Sequence, residues 1–129
     1  MGKLTKNKSS TKYFSSRQED SISKFLGGKT VPGSGSPHFY AGDITTNDFL
    51  IEAKTTTKPK ESFSIKKEWI TKNNLERMQL GKPYCALAFQ FAPNTPNYYV
   101  IDEKLFKKLL EYVEGDCLWM CNIKLYKKH

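Results

Sequence analysis

A chain of 129 residues, 38% of them hydrophobic, is long enough for one domain with a core of its own. Its formal net charge of +8 favours a polyanionic partner, and nucleic acid is a better candidate than a membrane surface. No apolar run approaches the roughly 20 residues of a spanning helix, and the charged N-terminus lacks the apolar stretch of a secretory signal. We therefore expect a cytoplasmic protein that makes no use of a membrane.

The first 14 residues are polar and basic, with almost nothing apolar among them. This composition predicts a flexible basic arm, followed by a single domain at residues 15–129. The arm either follows a nucleic-acid backbone or only keeps the protein soluble.

A helix is predicted from Ser16 to about Leu26, where two glycines end it, with an apolar stripe of Ile22, Phe25 and Leu26. Glu19 within this helix has two interpretations. It has the spacing of a capping box with Ser16, and it also lies along the inward side of the helix, from which it could reach a site on the sheet.

A loop dense in glycine, serine and proline follows at residues 31–38. Loops of this composition can place backbone N–H groups and hydroxyls against phosphate, and Ser34 and Ser36 are its candidate contacts. As a motif it is weak, because many linkers have the same composition.

The most informative pattern is a predicted hairpin that turns at Asn47 and Asp48. A two-residue turn at this place pairs Asp43 directly with Glu52, and strand alternation puts Lys54 on the same face as Glu52. The opposite face is apolar and carries Ile44, Phe49, Ile51 and Ala53.

Two directly opposed carboxylates repel each other unless a cation lies between them. Oxygen ligands beside a lysine suit Mg²⁺, which takes few protein carboxylates and keeps several waters. Hydrolysis of a phosphodiester is the chemistry that this arrangement favours. The alternative is a surface hairpin whose charges are solvated.

The remaining pattern predicts two more helices and three more strands. The second helix carries several lysines and is either a contact surface for nucleic acid or an ordinary solvated face. The predicted elements are a helix from Ser64 to Leu80 stopped by Gly81, a strand at 84–92 covered on both sides, a strand at 98–101, a helix from Asp102 to Gly115, and a last strand at 118–126.

The order of these motifs resembles the PD-(D/E)XK nuclease superfamily, and within it the small Holliday junction resolvases of archaea and phages. The likeness spans roughly residues 15–101 and includes a glycine in place of the proline that gives the superfamily its name. It is carried by the helix with Glu19, the serine-glycine loop, Gly42-Asp43-Ile44, and Ile51-Glu52-Ala53-Lys54.

The resemblance implies a restriction-endonuclease-like α/β fold, in which a mixed central sheet is flanked by helices in a single domain. It also implies a homodimer that nicks branched or duplex DNA with Mg²⁺, for which Mn²⁺ can substitute. For a phage-encoded chain the compartment would be the host cytoplasm.

The resemblance implies metal ligands and catalytic groups, and the positive charge of the chain adds candidate contacts to DNA. The metal would be held by the carboxylates of Glu19, Asp43 and Glu52 and by the backbone carbonyl of Ala53, and Lys54 and Ser34 would complete the catalytic set. The candidate DNA contacts are Lys3, Lys6, Lys8, Lys12, Arg17, Ser36, Lys58, Lys60, Lys66 and Lys67.

Two other functions compete with a junction resolvase. One is a sequence-specific nuclease of restriction or homing type, although little chain is left over here for reading bases. The other is a DNA-binding relative that kept the fold and lost catalysis, against which the intact set of Asp43, Glu52 and Lys54 argues.

Overall fold

The structure is a computed structural model that describes the backbone of residues 10–30 and 43–127, and side chains as far as residue 115. This part of the chain forms three helices and five strands. In order they are α1 (Thr11–Leu26), β1 (Lys29–Thr30), β2 (Asp43–Thr45), β3 (Phe49–Lys54), α2 (Lys67–Gln79), β4 (Tyr84–Phe89), β5 (Tyr98–Val100) and α3 (Glu103–Lys127).

The five strands form one mixed sheet in the order β1-β2-β3-β4-β5. Strands β3 and β4 run parallel and are joined through α2, whereas the other neighbouring pairs are antiparallel. A parallel connection needs a crossover of this kind, because a hairpin can only join antiparallel strands. The sequence-based prediction of a single α/β domain with a mixed sheet between helices is confirmed.

Helices cover both faces of the sheet. On the α1 side, Ile22 packs with Ile44 and Ile51 of the hairpin and with Ala86 and Ala88 of β4. Helix α2 contacts β3 and β4 and covers the other face. Strand β4 is therefore buried from both sides, as its apolar sequence predicts.

Helix α1 begins earlier than predicted. The N-cap is Ser10, whose hydroxyl accepts a hydrogen bond from the N–H of Tyr13 at 3.1 Å. The predicted start at Ser16 and its capping box with Glu19 are therefore wrong, because Ser16 lies inside the helix. Lys12 likewise belongs to α1 and not to a flexible arm, while residues 1–9 of that predicted arm lie outside the described part of the chain.

The buried side of α1 also differs from the predicted apolar stripe. Ile22 is fully buried, but Phe25 is 83% exposed and Leu26 is 39% exposed. Gln18, one turn before Ile22, is the other buried residue of the helix. The helix does end where predicted, at Gly27, which has a positive φ of 70°.

The second and third helices correct two further boundaries. Helix α2 starts at Lys67, after an extended Lys66 without a side-chain cap, and not at Ser64. Helix α3 begins after Asp102, whose carboxylate accepts from the N–H of Leu105 as predicted, but it runs through Gly115 to Lys127. The predicted strand at 118–126 is therefore wrong; a glycine within a helix costs only about 1 kcal/mol, which good helix formers around it offset.

Strand β1 was not predicted, and it adds an edge to the sheet beside β2. The strand follows Gly28, where a Cβ would lie 2.7 Å from a methyl carbon of Ile44. Glycine at this position lets the chain pass against the core. Within the described residues, no helix combines the length and apolar character that a membrane span requires.

Candidate functional site

The hairpin places Asp43 of β2 directly opposite Glu52 of β3, as the turn predicts. The turn is closed by a 3.0 Å hydrogen bond from the N–H of Thr46 to the carbonyl of Phe49. Both acidic residues are buried, with 4% of Asp43 and 7% of Glu52 exposed. Two neighbouring carboxylates with so little access to water are not solvated surface charges, so the alternative of a plain surface hairpin is wrong.

Lys54 lies on the same face as Glu52, as strand alternation predicts. Its Nζ is 3.1 Å from Oε1 of Glu52 and 4.3 Å from the ring centre of Trp69 on α2. The ammonium is thus held between a carboxylate and an aromatic face, and only about a fifth of the side chain is exposed (22%). This arrangement keeps a positive charge beside the buried acidic pair.

A third carboxylate, Glu76, comes from α2 and was not predicted. It is 8% exposed, and its carboxyl group hydrogen-bonds with Asp43. Burial raises the pKa of Glu76, the charge of Glu52 raises it further, and Lys72, the bond with Asp43 and Lys54 act against this rise. Three acidic and two basic side chains therefore interact across the α2 side of the sheet.

Asn73 lies one helical turn before Glu76 and shares its orientation, since residues three apart lie on one face of a helix. It is 2% exposed, and its Nδ2 has no hydrogen-bond partner among the described residues. The same holds for Oε2 of Glu52 and Oε1 of Glu76. Buried polar atoms of this kind are normally paired, so these atoms can accept ordered water or a bound ion as partner.

The sequence-based prediction did not include Glu76 and Asn73, because it used an apolar stripe to identify the buried side of α2. Ile70, Leu75 and Met78 fit such a stripe but are 45–60% exposed. The buried residues of α2 are Asn73 and Glu76 instead. The irregular spacing of the apolar residues was the available signal, because it showed that hydrophobicity does not define the inner face of this helix.

The residues present fit a hard divalent cation. Among the described residues no group of three or more His, Cys, Asp and Glu side chains has the spacing of a complete metal site. Mg²⁺ does not need one, because it usually binds through one or two carboxylates and keeps several waters. The opposed pair of Asp43 and Glu52 supplies that number of carboxylates.

Glu19 lies on α1, which packs against the apolar face of the sheet, whereas Asp43 and Glu52 point to the α2 side. Burial raises the pKa of Glu19, and the charge of Asp20 contributes to the same rise. The described structure thus brings Glu76, and not Glu19, next to the carboxylate pair. The metal-binding role of Glu19 stays a prediction.

Gln18 holds the ends of β3 and β4 beside the site. Its Nε2 donates to the carbonyl of Lys54 at 3.1 Å and to that of Ala88 at 3.5 Å, while its Oε1 accepts from Thr55 at 3.2 Å. These bonds fix the backbone that carries Lys54, so Gln18 is a positioning residue. An apolar-periodicity argument could not find it, because it is a polar residue at a buried helix position.

The predicted DNA contacts within the described residues lie on α1, on the loop after β3 and at the start of α2. Arg17 is engaged within the protein, because its Nε donates to Oδ1 of Asn94 at 2.9 Å. Lys12 is exposed on α1, Lys58 and Lys60 are exposed on the loop after β3, and Lys66 and Lys67 are exposed at the start of α2. Lys3, Lys6, Lys8, Ser34 and Ser36 lie outside the described residues, and Ala53 lies in β3 between Glu52 and Lys54.

Comparison of the chain with protein-family models, with curated proteins and with solved structures finds no match.

Proposed function

We propose that this protein is a metal-dependent endodeoxyribonuclease of the PD-(D/E)XK type that hydrolyses phosphodiesters in branched DNA, a Holliday junction resolvase. The observation that carries the proposal is the direct opposition of Asp43 and Glu52, with Lys54 paired to Glu52 at 3.1 Å. Two carboxylates and one ammonium on one face form the minimal set for this chemistry.

Asp43 and Glu52 would hold Mg²⁺, or Mn²⁺ in its place. The bound ion supplies charge neutralisation at the scissile phosphate and a water of lowered pKa as nucleophile. Lys54 lies beside Glu52 and adds a fixed positive charge for the developing charge on the phosphate oxygens. In the overall reaction the water oxygen would bond to phosphorus and give up a proton, the phosphorus–oxygen bond to the leaving strand would break, and the leaving oxygen would take up a proton.

Glu76 and Asn73 would support this machinery from α2. Glu76 shares a hydrogen bond with Asp43, which requires one proton between the two carboxyl groups, and this bond would help to orient Asp43. Asn73 points a buried amide toward the same side of the helix. Carboxylates that bind metals are themselves commonly held by a second set of hydrogen bonds, and loss of those bonds weakens metal affinity about 10- to 100-fold.

As a resolvase the protein would act as a homodimer, because a four-way junction contains two-fold related strands and its resolution needs two matched cuts. The net charge of +8 favours contact with the DNA backbone. Base edges carry no information about branching, so the shape of the backbone would direct the choice of substrate.

A cleavage assay with four DNA substrates tests the proposal. Four-way junction, flap, plain duplex and single strand of matched length are incubated with and without Mg²⁺. We expect paired cuts in the junction that require the metal. A cut that depends on the sequence of a plain duplex more than on branching would favour a restriction or homing nuclease, and binding without any cut would favour an inactive relative.

A further inference from the structure

An aromatic cluster lies on the same face of the sheet as the carboxylate pair. It contains Phe63, Trp69, Phe89, Phe91 and Tyr98. Phe63 stacks on Phe89 at 4.9 Å between ring centres, and Phe89 stacks on Tyr98 at 5.8 Å. Phe91 meets Tyr98 edge-on at 5.4 Å.

The cluster is continuous with the proposed catalytic site. Lys54 is the register partner of Phe89, and Phe89 is the register partner of Tyr98. Neighbouring strands are about 4.8 Å apart, so Tyr98 lies two strand spacings, about 10 Å, from the backbone of Lys54. At the other end of the cluster, the ring centres of Trp69 and Phe63 are 6.3 Å apart. The Nζ of Lys54 lies 4.3 Å from the ring centre of Trp69.

The outer end of this cluster is open to solvent. Tyr98 is 54% exposed on β5, the edge strand of the sheet. One side of Tyr98 packs against Phe89 on the adjacent strand, which is itself covered in part. The exposed ring is therefore available to stack with a flat group from outside.

Positive charge surrounds the cluster. Lys66 lies 5.6 Å from the ring centre of Trp69. The loop with Lys58 and Lys60 contacts the segment that follows β4, because the N–H of Lys60 donates to the carbonyl of Phe91, a member of the cluster, at 2.7 Å. Aromatic rings flanked by lysines match single-stranded nucleic acid, whose bases stack while its phosphates contact the ammonium groups.

We propose that Tyr98 and the rings behind it form a stacking platform for an unpaired nucleobase next to the scissile phosphate. The platform rests on the proposed nuclease function and adds to it a preference for DNA with unstacked bases near the cut, such as the centre of a junction or the base of a flap. Fully paired duplex offers no free base face to the ring.

The test is binding without cleavage, measured with Ca²⁺ in place of Mg²⁺. The probes are a duplex with a single-stranded overhang and a blunt duplex of equal length. The variants are Tyr98→Ala, Tyr98→Phe and, as matched control, Tyr99→Ala. Tyr99 is the next residue on β5, and its register partner Ala88 belongs to the core on the opposite face.

We expect Tyr98→Ala to weaken overhang binding about five- to tenfold, with blunt-duplex binding nearly unchanged, since stacking of one base contributes free energy of this order. Tyr98→Phe keeps the ring and should bind like wild type, and Tyr99→Ala should leave the overhang preference intact. Equal losses on both probes, or the same loss in Tyr99→Ala, would overturn the platform while leaving the nuclease proposal standing. Absence of any DNA binding by the wild-type protein would overturn both.

Discussion

Within the carboxylate cluster of the candidate site, the fold opposes the ionisation of Glu76. Burial and the charge of Glu52 raise its pKa, so the folded chain binds this proton more tightly than the unfolded chain does. Tighter proton binding stabilises the folded chain, and this stabilisation is fully present below the ordinary glutamate pKa of about 4.3. It is lost as the pH rises through the raised pKa of Glu76 in the folded state. Once the pH exceeds the ordinary glutamate pKa, the raised pKa of Glu76 therefore lowers the free energy of unfolding relative to its value in acid.

The variant Glu76→Gln should consequently be more stable than wild type near neutral pH, and the difference should shrink as pH falls below the ordinary glutamate value. Thermal unfolding across pH measures it, since each kcal/mol moves Tm by about 4 °C in a domain of this size. Glu68→Gln, an exposed glutamate in the first turn of the same helix, is the control and should show no such trend. A destabilised Glu76→Gln at neutral pH would mean that the bond to Asp43 outweighs the cost of the buried charge.

At this scale the sequence predicted the carboxylate pair and Lys54 but not their partners on α2. Asp43, Glu52 and Lys54 follow from a turn and the two-residue period of a strand, both of which are local. Glu76 reaches them only through the parallel crossover from β3 to β4, which brings a distant polar residue over the sheet. Burial of a polar side chain is a tertiary property, and periodicity of apolar residues does not report it.

Among the elements, α1 provides a direct test of where a helix begins. Ser10 accepts a hydrogen bond from the N–H of Tyr13, whereas Ser16 lies within the helix. We expect Ser10→Ala to lower the free energy of unfolding by about 1 kcal/mol, the usual cost of a lost N-cap. Ser16→Ala should change it little or raise it slightly, because alanine is the better helix former. Chemical denaturation of both variants measures this, and a reversed order would place the helix start at Ser16.

The helices and strands also show which boundaries can be predicted from nearby residues alone. Gly27 and Gly81 end their helices as expected, and both have a positive φ, which other residues adopt only with strain. Gly115 has the same identity but lies within α3, so a glycine alone does not end a helix. Strand β1 has only two residues and pairs at the sheet edge, which is too short a segment for a periodic pattern.

For the whole molecule, the start of α1 shows that an N-terminal truncation should end at residue 9 and not at residue 12. Removal of residues 1–12 would delete Ser10 and the first residues of α1, so loss of DNA binding in such a variant would have two causes. Removal of residues 1–9 takes away Lys3, Lys6 and Lys8 and keeps the cap. We expect weaker binding to every DNA, and a salt dependence of log K that is flatter by up to about 3, roughly 0.9 for each lost phosphate contact.

The preference for a four-way junction over a duplex of equal length should survive this truncation, because lysines that contact only phosphates would not recognise branching. Titrations at several salt concentrations with both DNAs provide the comparison. An unchanged salt slope would show that the N-terminal lysines serve solubility alone.

The proposed nuclease activity requires that Asp43 and Glu52 bind a metal together. The most direct measurement is calorimetric titration of Mn²⁺ or Mg²⁺ into wild type and Glu52→Gln, with cleavage of a four-way junction followed on the same samples. We predict that wild type binds the ion and cuts, whereas Glu52→Gln loses most of both, remains folded and keeps its affinity for DNA. A Glu52→Gln variant that binds the metal and cuts the junction as wild type does would contradict the assignment of this site.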